Sequence, residues 1–135
     1  MNITITVVVT QEEYEKLITH HQDIPAVELV PGQVSVHLIS GKRATAMFAT
    51  FKPNAVGPLH KHEHEQIMII ADGEGELVAG GKRYPVKKGD VTVFASNQEH
   101  GTYASAKGIK TIEIFIPVRQ EYMDKLAEVK KRLGK

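Results

Sequence analysis

Residues 57–66 read GPLHKHEHEQ, and residues 96–101 read SNQEHG, which places a further histidine 36 positions after the first run. His60, His62 and His64 alternate, and side chains that alternate along an extended segment point to one face. Neutral imidazoles that converge there with His100 from a second strand would form a site for a divalent transition metal. The alternative is an exposed polar loop that is rich in histidine, and the run alone does not decide between them.

The composition indicates a single globular domain. The chain has 135 residues, of which 41% are hydrophobic and 24% charged, and its formal net charge is +1. That balance gives no electrostatic argument for binding nucleic acid or an anionic membrane. There is no cysteine, so any metal must take nitrogen and oxygen ligands. Residues 1–9 lack the basic region of a signal peptide and no membrane-length apolar run follows, which favours a cytoplasmic location.

Short apolar segments separated by glycine turns predict strands through most of the chain. Gly80-Gly81 is suited to a two-residue hairpin turn, because such turns need positive φ. The predicted strands cover residues 3–9, 34–39, 45–51, 66–71, 75–79, 82–86, 91–94 and 111–116. Turn signals at this spacing indicate an all-β sandwich or barrel.

Two helices are predicted at the ends of this β region. Thr10 followed by Glu13 has the capping-box pattern and opens a short helix to residue 18. Residues 119–133 have the apolar spacing of an amphipathic helix, expected to pack as a lid or at a dimer contact. We therefore divide the domain into an extension (1–30), a barrel (31–118) and a C-terminal helix (119–135). The β-branched segment 3–9 needs a sheet edge, which predicts a homodimer in which it adds to the partner's sheet.

The two histidine stretches resemble the two motifs of the cupin superfamily. Residues 57–73 have its opening glycine, the H-x-H, the later amide or carboxylate and the closing glycine; residues 89–101 begin with Gly-Asp and end in His100 and Gly101. Ala95-Ser96 stands where the family usually has proline. The resemblance implies a jelly-roll-like antiparallel β-barrel with a metal in its mouth. The implied ligands, suited to Mn, Fe, Co, Ni or Zn, are His60, His62, Gln66 and His100.

A closer resemblance covers most of the chain after residue 30, and is to the small single-domain cupins of the pectin-degradation type. It is carried by residues 30–36, 64–66 and 113–122. It implies ring opening of unsaturated uronic acids, with Glu113 as acid or base, Arg119 as a fork for the substrate carboxylate, and Phe115 beside Glu113 on the last strand. Glu113 stands where Asp is usual, and its extra methylene shifts the carboxylate. The alternative is a structural Glu113–Arg119 salt bridge at the barrel rim.

The amide at Gln66 bears on the reaction class. It leaves the full charge on a divalent ion, which strengthens a Lewis acid, and it departs from the two-His-one-carboxylate set of many iron oxygenases. A small carboxylated sugar is the expected ligand; a non-catalytic binding protein and a metal-dependent dioxygenase are the alternatives. His64 is expected beside the metal ligands rather than among them. From the reference imidazole pKa of ~6.5, metal binding should fade below about pH 6.

Overall fold

The computed structural model describes residues 16–135. The predicted strand at residues 3–9 and most of the predicted helix at 10–18 lie outside this range. The last three residues of that helix, 16–18, are described and are neither helical nor in a strand. A short 3-10 helix, His21–Asp23, follows them.

The described chain consists of strands and one α-helix. The elements are β1 (Val27–Val30), β2 (Val34–Ser40), β3 (Thr45–Phe51), β4 (Val56–His60), β5 (Glu65–Ala79), β6 (Lys82–Lys87), β7 (Val91–Phe94), β8 (His100–Ile116) and α1 (Gln120–Arg132). All strand pairs are antiparallel and form one eight-stranded sheet in the order β1-β2-β3-β8-β5-β6, with β4 on β8 and β7 on β5. This confirms the predicted all-β antiparallel fold with a C-terminal helix.

The long strands β5 and β8 are paired along their whole length, from Glu65 opposite Ile116 to Ala79 opposite His100. One half of the pair is flanked by β7 and β3, and the other half by β6 and β4. The strands bend together at Gly73 and Gly108, which have φ of +81° and +75°. A Cβ on Gly73 would collide with the Gly108 carbonyl oxygen. The glycine turns expected between the predicted strands are not found at these two positions. Each of the two glycines bends a continuous strand instead.

Side-chain alternation decides which residues reach the interior. On β5, Gln66, Met68 and Ile70 are buried, because side chains two residues apart lie on the same face of a strand. On β8, Glu113 and Phe115 are likewise buried and share the inner face. Helix α1 buries Tyr122 and Leu126 against the strands. Among residues 16–135, no helix is long and apolar enough to cross a membrane.

Candidate functional site

Three histidines from separate parts of the chain meet at one end of the sheet. His60 ends β4, His62 lies in the connection to β5, and His100 begins β8. Their ligand nitrogens lie within 4.8 Å of one another. His60 and His100 are opposite in the β4–β8 register, and their Nε2 atoms are 3.1 Å apart. This three-histidine cluster can hold a metal ion, as the sequence predicted, and His100 at least is buried rather than part of an exposed loop.

His100 is held in one orientation and one tautomer. Its Nδ1 lies 2.9 Å from the Gln98 carbonyl oxygen, which can only accept, so the proton is on Nδ1. The ring also stacks on Phe94, with centroids 4.0 Å apart. The Nε2 lone pair is therefore left facing His60 and His62. A backbone carbonyl that fixes the second ring nitrogen in this way is the usual support of a metal-binding histidine.

The Gln66 amide is oriented by hydrogen bonds on both sides, with its oxygen toward the cluster and its nitrogen toward Glu113. The Oε1 atom lies 3.0 Å from His62 Nε2. On the other side, Nε2 donates a short hydrogen bond to Glu113 Oε1. Thr111 Oγ1 donates to the second carboxylate oxygen of Glu113 at 2.6 Å. Thr111 and Glu113 thus fix which way the Gln66 amide points, a role for Glu113 that the sequence analysis did not anticipate.

His64 lies outside the cluster. It is buried, and its Nε2 donates to the Val118 carbonyl oxygen at 3.0 Å. That bond joins the start of β5 to the segment that carries Arg119. His64 therefore braces the chain beside the ligands, in agreement with its expected place next to the set rather than in it.

Arg119 lies in the wall of the same site and is only 5% exposed. Its guanidinium stacks over the Tyr122 ring at 4.2 Å, and Nη1 pairs with Glu121 at 3.2 Å. Within residues 16–135 its Nε is buried without a hydrogen-bond partner. The alternative of a Glu113–Arg119 salt bridge does not match this arrangement. Glu113 accepts hydrogen bonds from Gln66 and Thr111, whereas Arg119 forms its ion pair with Glu121.

Comparison with known proteins agrees with the fold and the motifs. The cupin domain family matches residues 47–115. This chain is a cupin. It is 34% identical, over 74 residues, to the pectin degradation protein KdgF of Dickeya dadantii, and this match covers 54% of the chain and 67% of the relative.

Two solved cupins illustrate the structural likeness. The structure of KdgF from a Halomonas species matches with a TM-score of 0.70 and 25% identity, covering 76% of this chain and 94% of the other. An RmlC-like cupin from Shewanella frigidimarina has a TM-score of 0.73 at 19% identity, covering 79% and 96% of the two chains. The second likeness concerns the fold alone, whereas the KdgF matches share sequence as well.

The donor set of this cupin fits a divalent transition metal. Two nitrogens that each lie ~2.0–2.1 Å from one ion are about 3.0–3.4 Å apart, and the His60–His100 separation of 3.1 Å falls in that interval. Gln66 Oε1 and His62 Nε2 are 3.0 Å apart and meet the same condition. Imidazole and amide donors suit Mn, Fe, Co, Ni and Zn alike, so the residues define a site without selecting the ion.

The histidines of the cluster are more acidic than free imidazole, which revises the expected pH dependence of metal binding. Burial and the nearby His100, His62 and Arg119 lower the pKa of His60 to about 4. Burial, with Arg119, also lowers the pKa of His62 and that of His100. A lowered pKa keeps the rings neutral down to a lower pH, so at a given acidic pH protons compete less with the ion. We expect affinity, measured by titration with a metal-sensitive dye, to persist below pH 6 instead of fading there.

A fall in affinity centred at pH 6.5 would contradict that expectation. The control is a short histidine-tagged peptide without folded structure, whose imidazoles titrate at the reference pKa and whose metal binding should fade near pH 6.

The cavity beside the cluster has a volume of about 400 Å³, within the range of small-molecule sites. His60, His62, Gln66, His100, Glu113, Phe115 and Arg119 all line it. Burial raises the pKa of Glu113 to about 7, against the opposing hydrogen bonds from Thr111 and Gln66. Near neutral pH this carboxyl group can therefore take up or release a proton. The cavity thus combines neutral metal donors with the buried Arg119 guanidinium and the Glu113 carboxyl group, which can transfer a proton.

Three contributors to the site were not singled out from the sequence. Thr111 bonds to Glu113, Tyr122 stacks on Arg119, and Thr45 Oγ1 accepts the Arg119 backbone N–H at 2.9 Å. Thr111 carries a usable signal, because it lies two residues before Glu113 and therefore on the same face of the strand. Tyr122 falls within the predicted amphipathic helix, whose apolar spacing does not indicate a contact with Arg119. Thr45 has no such signal, since it lies 74 positions from its partner.

Proposed function

We propose that this cupin is a metal-dependent enzyme that opens the ring of small unsaturated uronates. The observation that carries the proposal is the buried Arg119 guanidinium, whose Nε has no partner in the described chain although it lines the cavity of the three-histidine cluster. Leaving a buried donor unsatisfied costs ~1–3 kcal/mol. A substrate carboxylate would satisfy it, because a guanidinium matches a carboxylate with two parallel hydrogen bonds.

The relatives support the same class of substrate. The matched Dickeya protein is named for pectin degradation, and pectin is a polymer of uronic acids. The cavity of about 400 Å³ is large enough for one sugar ring and its carboxylate. Tyr122 and Phe115 lie beside the guanidinium, at 4.2 and 5.6 Å from it. They hold it in place and give the cavity an apolar wall against which a sugar ring can pack.

Ring opening of a 4,5-unsaturated uronate is an isomerisation in which one proton changes position. The bond between C1 and the ring oxygen breaks, and the C1 hydroxyl loses its proton as C1 becomes an aldehyde. C4 gains a proton as C5 becomes a ketone, so no atom is gained or lost. Glu113 can accept the first proton and supply the second, because its pKa of about 7 makes both forms available.

His60, His62, His100 and Gln66 would hold the metal for this reaction. A bound divalent ion would act as a Lewis acid toward a sugar oxygen. The chain's own residues have three further roles. Arg119 binds the carboxylate, and Phe115 forms the cavity wall beside it. Thr111 donates a hydrogen bond to the Glu113 carboxylate and so keeps it oriented toward Gln66. The sugar is thereby held against both the donor cluster and the group that transfers the proton.

Replacing Arg119 with lysine should raise KM more than it lowers kcat. Lysine keeps the charge but loses the planar fork that matches a carboxylate, and it also loses the stacking on Tyr122. We expect steady-state kinetics to show a tenfold or greater rise in KM. The matched control is Arg132→Lys, on the exposed end of α1, which should change neither constant. An Arg119→Lys variant with wild-type KM would mean that the carboxylate binds elsewhere.

The experiment that tests the proposal is a screen of the metal-loaded protein against 4,5-unsaturated uronates, with product analysis by nuclear magnetic resonance. The expected product shows a new ketone and has the mass of the substrate. Oxygen consumption would instead indicate the dioxygenase alternative. Saturable binding of a uronate with no change of the substrate under any of Mn, Fe, Co, Ni or Zn would establish the non-catalytic binding alternative.

A further inference from the structure

A second cavity opens between strands β6 and β7. Strand β5 bends at Gly73, and it pairs with β7 before the bend and with β6 after it. Among the described strands, β6 and β7 each pair with β5 alone, so no ladder of backbone hydrogen bonds joins them. The cavity between them has a volume of about 560 Å³, which is within the range of small-molecule sites. We call it the edge cavity.

The edge cavity has an apolar interior and a single charged residue in its lining. Leu77, Val86 and Phe94 line it and are 3%, 8% and 2% exposed. Tyr84 lies on the same face of β6 as Val86 and is half exposed. Lys82 is the one charged residue among the described residues that line the cavity. It is exposed, and none of the ion pairs between described residues involves it.

This lining suits a ligand that has a hydrocarbon chain and one negative charge. The apolar wall would bury the chain, and burial of each methylene is favourable. A single ammonium group balances one negative charge, which favours a carboxylate over a dianionic phosphate. The charge complementarity therefore indicates a small aliphatic carboxylate as the occupant.

The edge cavity also shares residues with the support of the three-histidine cluster. Phe94 stacks on the His100 ring with an angle of 9° between the ring planes. Gln98 lines the cavity, and its carbonyl oxygen accepts the hydrogen bond from His100 Nδ1. Ala79, a third lining residue, is opposite His100 in the β5–β8 register. A molecule in the edge cavity would therefore touch residues that orient His100, although none of the proposed metal ligands lines this cavity.

We propose that the edge cavity binds a small aliphatic carboxylate and that its occupation tightens metal binding at the three-histidine cluster. The ammonium group of Lys82 pairs with the carboxylate, and the hydrocarbon chain packs against Phe94. This packing limits the movement of the ring on which His100 stacks, so His100 loses less freedom when it binds an ion. The site is separate from the cavity that contains Arg119, and the proposal does not depend on uronate ring opening.

Isothermal titration calorimetry of the metal-stripped chain with butanoate, hexanoate and octanoate tests the site. Binding should saturate at one molecule per chain, and affinity should rise about fourfold with each added methylene. Lys82→Gln should weaken octanoate binding about three- to fivefold, as expected for an ion pair at an exposed rim, and should leave the affinity for neutral octanol unchanged. Lys88→Gln, in the turn between β6 and β7, is the matched control and should bind octanoate as the wild type does.

Metal titration with a metal-sensitive dye tests the coupling. Saturating octanoate should lower the dissociation constant of the ion about fivefold or more, and the metal-loaded chain should bind octanoate more tightly by the same factor, because coupling is reciprocal. The same titration with Lys82→Gln protein, at the same octanoate concentration, controls for metal that octanoate binds in solution.

Four results would each overturn the proposal. They are an absence of octanoate binding, an affinity that does not change with chain length, a loss of octanoate binding in Arg119→Lys instead of Lys82→Gln, and a metal affinity that octanoate leaves unchanged or weakens. The third result would mean that the carboxylate occupies the cavity of the three-histidine cluster.

Discussion

Replacing His62 or His100 with alanine should abolish stoichiometric metal binding. Each change removes one nitrogen of a cluster whose ligand atoms lie within 4.8 Å of one another, and two histidines with one amide form a much weaker site. For His100, the bond to the Gln98 carbonyl and the stacking on Phe94 are lost as well. The measurement is metal content by inductively coupled plasma mass spectrometry after loading and dialysis, with about one ion per chain expected in the wild type.

Two other histidines are the controls for this experiment. His20→Ala alters an exposed histidine outside the cavity and should keep one ion per chain. His64→Ala removes the hydrogen bond to Val118 but no ligand, so it should weaken affinity by ~10–100-fold, the usual cost of losing a supporting contact, while binding at saturating metal persists. If His64→Ala cost as much as His62→Ala, the ligand set would have to include His64.

Replacing Glu113 with glutamine should lower kcat by ~10²–10⁴-fold, the usual contribution of a positioned acid or base. A glutamine side chain cannot exchange a proton, yet its carbonyl oxygen can still accept the hydrogen bond that now runs from Gln66 to Glu113. Metal content should therefore stay near one ion per chain. The measurements are the single-turnover rate with a 4,5-unsaturated uronate and the metal content of the same sample.

Glu113→Ala separates the two roles of this residue. Alanine offers the Gln66 amide no acceptor, so the amide is free to turn, and metal affinity should fall in addition to turnover. Glu128→Gln, an exposed change on α1, is the control and should alter neither quantity. A Glu113→Gln variant with wild-type turnover would show that the proton is handled by another group, even if ring opening itself were confirmed.

The sequence predicted the fold wherever alternation and turn chemistry agreed. Strands β3 and β7 have the predicted bounds, and Gly80 and Gly81 form the predicted hairpin turn, with φ of +58° and +73° between the paired Ala79 and Lys82. Strands β1 and β4 were missed because both are short and are interrupted or flanked by proline. Pro31 directly follows β1, and Pro58 lies within β4. The first half of β8 was missed because Gly108 reads equally as a turn or a bend, and only the contact with Gly73 on β5 decides between them.

Within the site, the sequence located the residues but not the contacts between them. The histidine spacing together with the resemblance to the cupin motifs predicted the cluster of His60, His62 and His100. The fold brings these residues together because the end of β4 pairs with the start of β8. The bond from Gln66 to Glu113 joins residues 47 positions apart, and it depends on the register of β5 against β8. The brace from His64 to Val118 spans 54 positions and depends on the path of the chain after β8.

If metal binding and uronate ring opening occur in one cavity, the catalytic rate should follow metal occupancy when stripped protein is titrated with metal. The conjugated double bond of a 4,5-unsaturated uronate absorbs in the ultraviolet and disappears on ring opening, so the rate can be followed by absorbance. Starting from metal-stripped protein, we expect the rate to rise in proportion to bound metal and to reach its plateau at one ion per chain. An equal rate in the stripped protein, or no rate at full occupancy with any of Mn, Fe, Co, Ni or Zn, would contradict it.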